Sequence, residues 1–220
     1  MEELVKSVQK KYVDDIVNKY PIHRFFVLFI VIIDVHLTFN VKTESVYTTL
    51  SEMKVNYLID VKSGLLSQVS IVQLILSCFL TFVIIAKLNS YFSEFFFKVL
   101  SSSQNFDSYT KEISERVNRS KSDDLLHNYY YSKDISKSLN EARAKLNSAI
   151  GSCEVLLSLA ILPFAGVGNF LFKDYAIVFF FVVCIFYLNW WAFNFYISKF
   201  IPYYFTERLL LGLSANFGDK

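Results

Sequence analysis

Ionisable and hydrogen-bonding side chains interrupt the apolar stretches of this sequence, and they are its first candidates for chemistry. Asp34 lies inside FFVLFIVIIDVHLTF (25–39), and Glu154 lies near the start of another apolar stretch. A charged group at the centre of a bilayer costs roughly 2.5–3.5 kcal/mol on insertion scales, so an intramembrane acid is a functional candidate by default. Thr38 follows Asp34 by four positions and offers it a polar neighbour on the same helix face.

A second set of polar residues recurs at intervals of three and four, at Ser70, Gln73, Ser77 and Thr81. This spacing places them on one face of a helix. Such residues typically pack membrane helices against one another, whereas the same stripe lining a water-filled path would conduct ions. The sequence favours the packing seam and leaves the conduit open. The predicted intramembrane polar residues are Asp34, Gln73, Ser77, Thr81 and Glu154.

Motifs for enzymatic chemistry are absent from the sequence, which has no nucleophile elbow, zincin helix, Walker loop or dinucleotide fingerprint. Cys78, Cys153 and Cys184 form no CxxC pair, and we predict that they are buried thiols. A net charge of +2 gives no basic field for nucleic acid. We therefore expect a chain that is not an enzyme, with no catalytic residue, no metal site, no cofactor and no direct contact with nucleic acid.

The polar residues must be positioned by helices that cross a lipid bilayer. Hydrophobic residues make up 54% of the chain and charged residues are gathered in blocks, and about 20 largely apolar residues suffice for one crossing. The first apolar run is followed by NVKTESV rather than by a small-residue cleavage site, so we expect it to remain as an anchor. The predicted fold class is all-α, a polytopic membrane protein with four transmembrane helices plus cytoplasmic amphipathic helices. The predicted spans are 22–41, 65–87, 149–172 and 175–201, with an extracytoplasmic loop at 42–64.

The distribution of positive charge predicts the orientation of these spans. Of the 22 Lys and Arg residues, all but Lys42, Lys54, Lys62 and Lys173 fall on one side of the four spans. Lys and Arg accumulate on the cytoplasmic side of membrane proteins. We therefore expect a multi-pass membrane protein with both termini in the cytoplasm.

Three segments are predicted on the cytoplasmic face: an amphipathic helix at 1–21, a helical hairpin at 88–148 and a tail at 202–220. The first helix could lie among lipid headgroups or pack on protein. HNYYYSKD (127–134) is predicted at the tip of the hairpin, where its tyrosines could contact a soluble partner or fold back onto the membrane. The predicted partner-binding residues are Tyr129, Tyr130, Tyr131, Ile135, Leu139 and Leu146.

The residue bias, with 17 Lys to 5 Arg, is typical of AT-rich coding in horizontally acquired bacterial islands. In span count, size and cytoplasmic termini the chain resembles the KwaA family, the four-span membrane subunits of the two-protein Kiwa anti-phage system. The resemblance implies an oligomeric inner-membrane component that senses phage attack and holds a soluble effector on its cytoplasmic side. The large cytoplasmic surface favours such a recruiting subunit. An ion-conducting pore or effector, and an immunity protein against a pore-forming toxin, remain alternatives.

Overall fold

A computed structural model describes residues 2–13, 16, 23–40, 45–60, 62–102, 106–120, 122, 124–165 and 171–213. Within these ranges the chain is helical and has no strand, which confirms the all-α fold class. The helices in chain order are α1 (Glu2–Tyr12), α2 (His23–Asn40), α3 (Val46–Glu52), α4 (Val55–Ile59), α5 (Leu65–Gln68), α6 (Ile71–Phe79), a π-helical segment (Leu80–Ile85), α7 (Ala86–Ser101), α8 (Phe106–Ser120), α9 (Leu125–Ala165), α10 (Phe172–Phe195), a second π-helical segment (Tyr196–Phe200) and α11 (Ile201–Leu210).

Four helical stretches are long and apolar enough to cross a membrane. In the second and the fourth, only 22% of the apolar window is buried inside the protein. Ile71, Phe172 and Phe179 are among the exposed side chains. Apolar surface of this extent needs an apolar surrounding, so the architecture fits a membrane-embedded protein. The four stretches are His23–Asn40, Ile71–Ser101, Leu125–Ile161 and Phe172–Leu210.

The chain divides into two compact units. We call Met1–Tyr20, Phe92–Ile150 and Leu188–Lys220 the terminal unit, and Pro21–Tyr91 and Gly151–Tyr187 the span unit. Three of the helices, α7, α9 and α10, therefore contribute residues to both units.

Aromatic side chains form the core of the terminal unit. The Tyr12 ring of α1 lies 5.4 Å from the Phe97 ring and 4.9 Å from the Tyr196 ring, measured between centroids. Val8 is also fully buried in this core. Fully burying an apolar side chain contributes roughly 1.5–3 kcal/mol, so the apolar stripe of α1 is held by protein. The described helix ends at Tyr12, and residues 1, 14, 15 and 17–21 of the predicted N-terminal helix lie outside the described ranges.

The start of α9 explains why HNYYYSKD is helical, where the sequence predicted the tip of a hairpin. The Leu126 amide donates a 2.8 Å hydrogen bond to the Asp124 carboxylate. The side chain of Asn128 both accepts from and donates to the backbone of Ser122. An Asp at this position satisfies an otherwise unpaired amide of the first turn. The helix α9 therefore begins before Tyr129.

Two sequence features shape the last two helices of the terminal unit. Pro202 lies in the first turn of α11, directly after the second π-helical segment. Its ring has no N–H and would crowd the carbonyl four residues earlier, so a wider turn relieves the conflict. Gly212, with a φ of 71°, ends α11, and the Leu213 amide donates to the Arg208 carbonyl at 2.9 Å. Glycine adopts this left-handed conformation without steric cost.

The helix α2 is the buried element of the span unit. Every residue from Val31 to Leu37 is buried. Val27, Val31 and Val35 pack with Ile85, while Ile32, Ile33 and Leu37 pack with Leu65 in a separate cluster. Because both faces of α2 are covered, the polar side chains it carries in this stretch are enclosed as well.

Candidate functional site

An enclosed ion cluster lies at the start of α2 in the span unit. Glu154 of α9 is fully buried. The Arg24 Nε donates to Glu154 Oε1 at 3.1 Å, and the His23 Nε2 contacts Glu154 Oε2. The Arg24 side chain is only 16% exposed. A buried carboxylate persists only when it is paired and hydrogen-bonded, and here each oxygen has its own partner.

The position of this cluster adds a second reason for its stability. No acidic residue lies in the first turn of α2, although that end of a helix carries partial positive charge. The Glu154 carboxylate supplies the missing negative charge from another helix. Gly151, one turn before Glu154, leaves room for the imidazole, since a Cβ there would lie 3.1 Å from His23 Cγ.

Asp34 is buried in the span unit, as a residue 3% exposed. Among the described residues its Oδ1 has no hydrogen-bond partner, and the same holds for the hydroxyls of Thr38 and Thr81. His36, by contrast, accepts a 3.1 Å hydrogen bond from the Asn40 amide nitrogen.

Tyr47 and Asp174 lie close enough to Asp34 to share its electrostatic environment. Burial raises the pKa of Tyr47, and the negative charges of Asp174 and Asp34 raise it further. The phenol therefore stays protonated and acts as a donor, to the Leu159 carbonyl at 2.6 Å. Asp174 itself accepts from the Leu171 amide at 2.9 Å at the start of α10. Sequence reasoning missed both residues because they lie outside or at the edge of the predicted spans.

The polar stripe of the second span faces the protein interior. Gln73, Ser77 and Thr81 are all buried, and so is Asn89, which follows Thr81 by eight residues. The Gln73 side chain accepts from the Ser70 amide at 3.0 Å, and the Gln73 amide donates to Ser70 Oγ at 3.2 Å, so the pair caps α6. The Ser77 hydroxyl donates to the Gln73 carbonyl at 2.7 Å. Gln73 and Ser77, two of the predicted intramembrane polar residues, therefore form these hydrogen bonds within their own helix.

The predicted partner-binding residues separate into two groups within the terminal unit. Tyr129, Tyr130 and Tyr131 are 53%, 59% and 39% exposed. Leu139 and Leu146 are 4% and 0% exposed and belong to the aromatic core. The side chains of Leu139 and Leu146 pack inside the terminal unit, and of these five residues only the tyrosines are exposed. Ile135 is partly buried and lines a cleft with Tyr131.

The fold and these enclosed polar side chains define a helical, membrane-embedded protein with four helices able to span a bilayer. Among the described residues, no group of three or more His, Cys, Asp or Glu side chains could hold a metal ion. Comparison of the chain with protein-family models, with curated proteins and with solved structures found no match.

Proposed function

We propose that the chain is a non-enzymatic membrane subunit that oligomerises and recruits a soluble protein to the cytoplasmic face of a bacterial inner membrane. The observation that supports this proposal most directly is an outward apolar patch at the start of α9. Leu125 and Leu126 are 82% and 63% exposed, and Tyr129 and Tyr130 follow them by one helical turn. We call these four residues the α9 patch.

The α9 patch has the composition of a protein interface. Tyrosine is enriched in interface cores, and contiguous apolar patches on charged elements mark interaction sites. The same helix continues with Lys133, Asp134, Lys137 and Glu141, which line a shallow exposed surface beyond it. A charged rim beside an aromatic centre is the usual anatomy of a recognition surface. Its mixed signs favour a protein over a purely anionic membrane surface.

The capped start of α9 makes the patch suitable for binding. Asp124 and Asn128 tie this turn to the preceding segment through the hydrogen bonds given above. A surface that is ordered before binding loses less conformational entropy on association. The partner therefore meets a pre-formed helix face.

The span unit supports recruitment over ion conduction. The side chains of Gln73 and Ser77 are buried and form hydrogen bonds within their own helix. A packing seam requires this enclosure, whereas a conduit would leave the stripe facing water. By its resemblance in layout to the KwaA family, we propose that the recruited protein is the soluble effector of a two-protein anti-phage system, with this chain as its sensor.

The test is recovery of a soluble partner from native membranes. A chain with Tyr129→Ala and Tyr130→Ala should lose it, because truncation of an aromatic anchor typically costs 2 kcal/mol or more, about thirtyfold in affinity. Phe95→Ala is the matched control, an exposed aromatic side chain of the same unit on α7. Recruitment is the wrong function if the unaltered protein brings down no soluble protein, or if the control releases the partner as completely as the double change.

A further inference from the structure

A cleft of about 360 Å³ opens in the terminal unit on a side of α9 that the α9 patch does not use. Its walls come from α8, the start of α9, the second π-helical segment and α11. Ligand sites in proteins commonly have volumes of roughly 300–1,000 Å³. The lining residues are Tyr109, Glu112, Ile113, Arg116, Val117, Tyr131, Ile135, Ser198, Lys199, Pro202, Tyr203 and Thr206.

The cleft carries one uncompensated positive charge. Glu112 and Arg116 neutralise each other, with 2.6 Å between the carboxylate and the guanidinium. Lys199 is exposed and forms no ion pair with any residue that the structure describes. An anion would therefore meet a free ammonium whose charge is not cancelled nearby.

The π-helical segment that carries this lysine is tied to α8. Tyr109 donates a 2.7 Å hydrogen bond to the Ile197 carbonyl inside the segment. Burial raises the pKa of Tyr109, and the nearby carboxylate of Glu112 raises it further, so the phenol keeps this proton. Ser198 precedes Lys199 in sequence and lines the same cleft. π-Bulges inside α-helices are frequent at functional sites.

The place of Lys199 in the sequence indicates which class of anion could bind in the cleft. No charged residue lies between Asp174 and Lys199, so Lys199 is the first charged residue after the apolar stretch of α10, where a membrane helix is expected to reach the headgroups. The floor of the cleft is apolar, with Ile113, Val117 and Pro202. Basic pockets at the ends of membrane helices bind the headgroups of anionic lipids.

We propose that this cleft is a binding site for the phosphate headgroup of an anionic phospholipid, held by Lys199 and the hydroxyls of Ser198 and Tyr203. The apolar floor accommodates the first part of the acyl or glycerol moiety. Zwitterionic lipids fit less well, because their own cationic group would lie beside Lys199. The site is separate from the α9 patch and does not depend on the recruitment of a partner.

The experiment measures the dissociation constant of dioctanoyl phosphatidylglycerol for the full chain in a neutral detergent. Lys199→Gln should weaken binding about tenfold, since loss of a charge-assisted hydrogen bond is worth at least that factor. Lys87→Gln is the matched control, an exposed lysine that directly follows the apolar run of the second span. It should change the constant less than twofold. Tyr203→Phe keeps the ring and should weaken binding by a smaller factor than Lys199→Gln.

Two further ligands decide the source of the phosphate. Dioctanoyl phosphatidylcholine should bind at least tenfold more weakly than phosphatidylglycerol. Glycerol phosphate, which lacks the acyl chains, should also bind more weakly. Equal affinity for glycerol phosphate would overturn the lipid assignment in favour of a soluble phosphorylated compound. Equal effects of Lys199→Gln and Lys87→Gln would overturn the site. The variant with Tyr129→Ala and Tyr130→Ala should still bind phosphatidylglycerol, because the cleft does not use these two side chains. This result separates the lipid site from the recruitment of a partner.

Discussion

The enclosed ion cluster of the span unit offers the sharpest test of how this protein is held together. Arg24→Gln removes one of the two partners of a fully buried carboxylate. Breaking a buried pair from one side costs roughly 3–5 kcal/mol, because the remaining charge is left uncompensated. His23 still contacts Glu154 after this change, so we expect the lower end, about 3 kcal/mol. For a chain of this size that corresponds to a fall in Tm of roughly 6–12 °C.

The assay is thermal unfolding of the purified protein in detergent, followed by circular dichroism. Arg119→Gln is the matched control, since Arg119 is 82% exposed and lies 3.8 Å from Glu115. An exposed pair contributes at most about 1 kcal/mol, so Tm should fall by less than about 4 °C. The double variant Arg24→Gln with Glu154→Gln removes both charges together and should cost less than the sum of the single changes.

Two results would refute this reasoning. One is a fall in Tm for Arg24→Gln no larger than that for Arg119→Gln, which would mean that the carboxylate does not need its guanidinium. The other is strict additivity in the double variant, which would mean that the two side chains act independently. Either result would remove the explanation given for the burial of Glu154.

Two more predictions concern orientation and alkaline stability. Reporter fusions after Lys62 and after Asp174 should behave as extracytoplasmic and one after Asn118 as cytoplasmic, and the opposite pattern would invert the proposed orientation. Because the pKa of Tyr109 is raised in the folded chain, the unfolded chain ionises first, and the stability that this phenol contributes is lost as pH rises above about 10. Tyr109→Phe should therefore cost about 1 kcal/mol at neutral pH, where its hydrogen bond to the Ile197 carbonyl is lost, and the unfolding curves of the two proteins should converge above pH 10. A constant difference up to pH 11 would contradict the assignment.

The helical class and the four apolar stretches could be predicted from sequence because they depend on local properties. The length and apolar content of a run decide whether it can cross a bilayer, and no distant contact enters that decision. The partners of Glu154 were not predicted, because pairing between α2 and α9 is a tertiary property. The sequence nevertheless contained an indication of this pairing. His23 and Arg24 begin the first predicted span, and Glu154 lies near the start of the third, which runs in the same direction across the membrane, so the three are expected at similar depth.

The environment of Asp34 shows a different limit. Its position in an apolar run identified it as a candidate, and the structure encloses its side chain. Tyr47 and Asp174, which shape its surroundings, lie in segments that the sequence assigns to a loop and a tight connection. Amphipathic periodicity gives no information about such segments. Only the folded chain brings these side chains into one environment.

The predicted partner-binding set shows how helix geometry could have been used further. Ile135, Leu139 and Leu146 recur at the spacing that defines one face of a helix, and the terminal unit buries Leu139 and Leu146 of that face in its own core. At about 100° per residue, Tyr131 precedes Ile135 by one turn and falls on the same face, which agrees with their shared cleft. Tyr130 and Tyr129 are rotated from Ile135 by roughly 140° and 120° in opposite senses. Side chains on an apolar face that continues into a core already pack within their own chain. The residues to assign to a partner are therefore the aromatic ones on other faces of the helix. For this protein that reasoning selects Tyr129 and Tyr130 for the proposed soluble partner and leaves Tyr131 to the cleft.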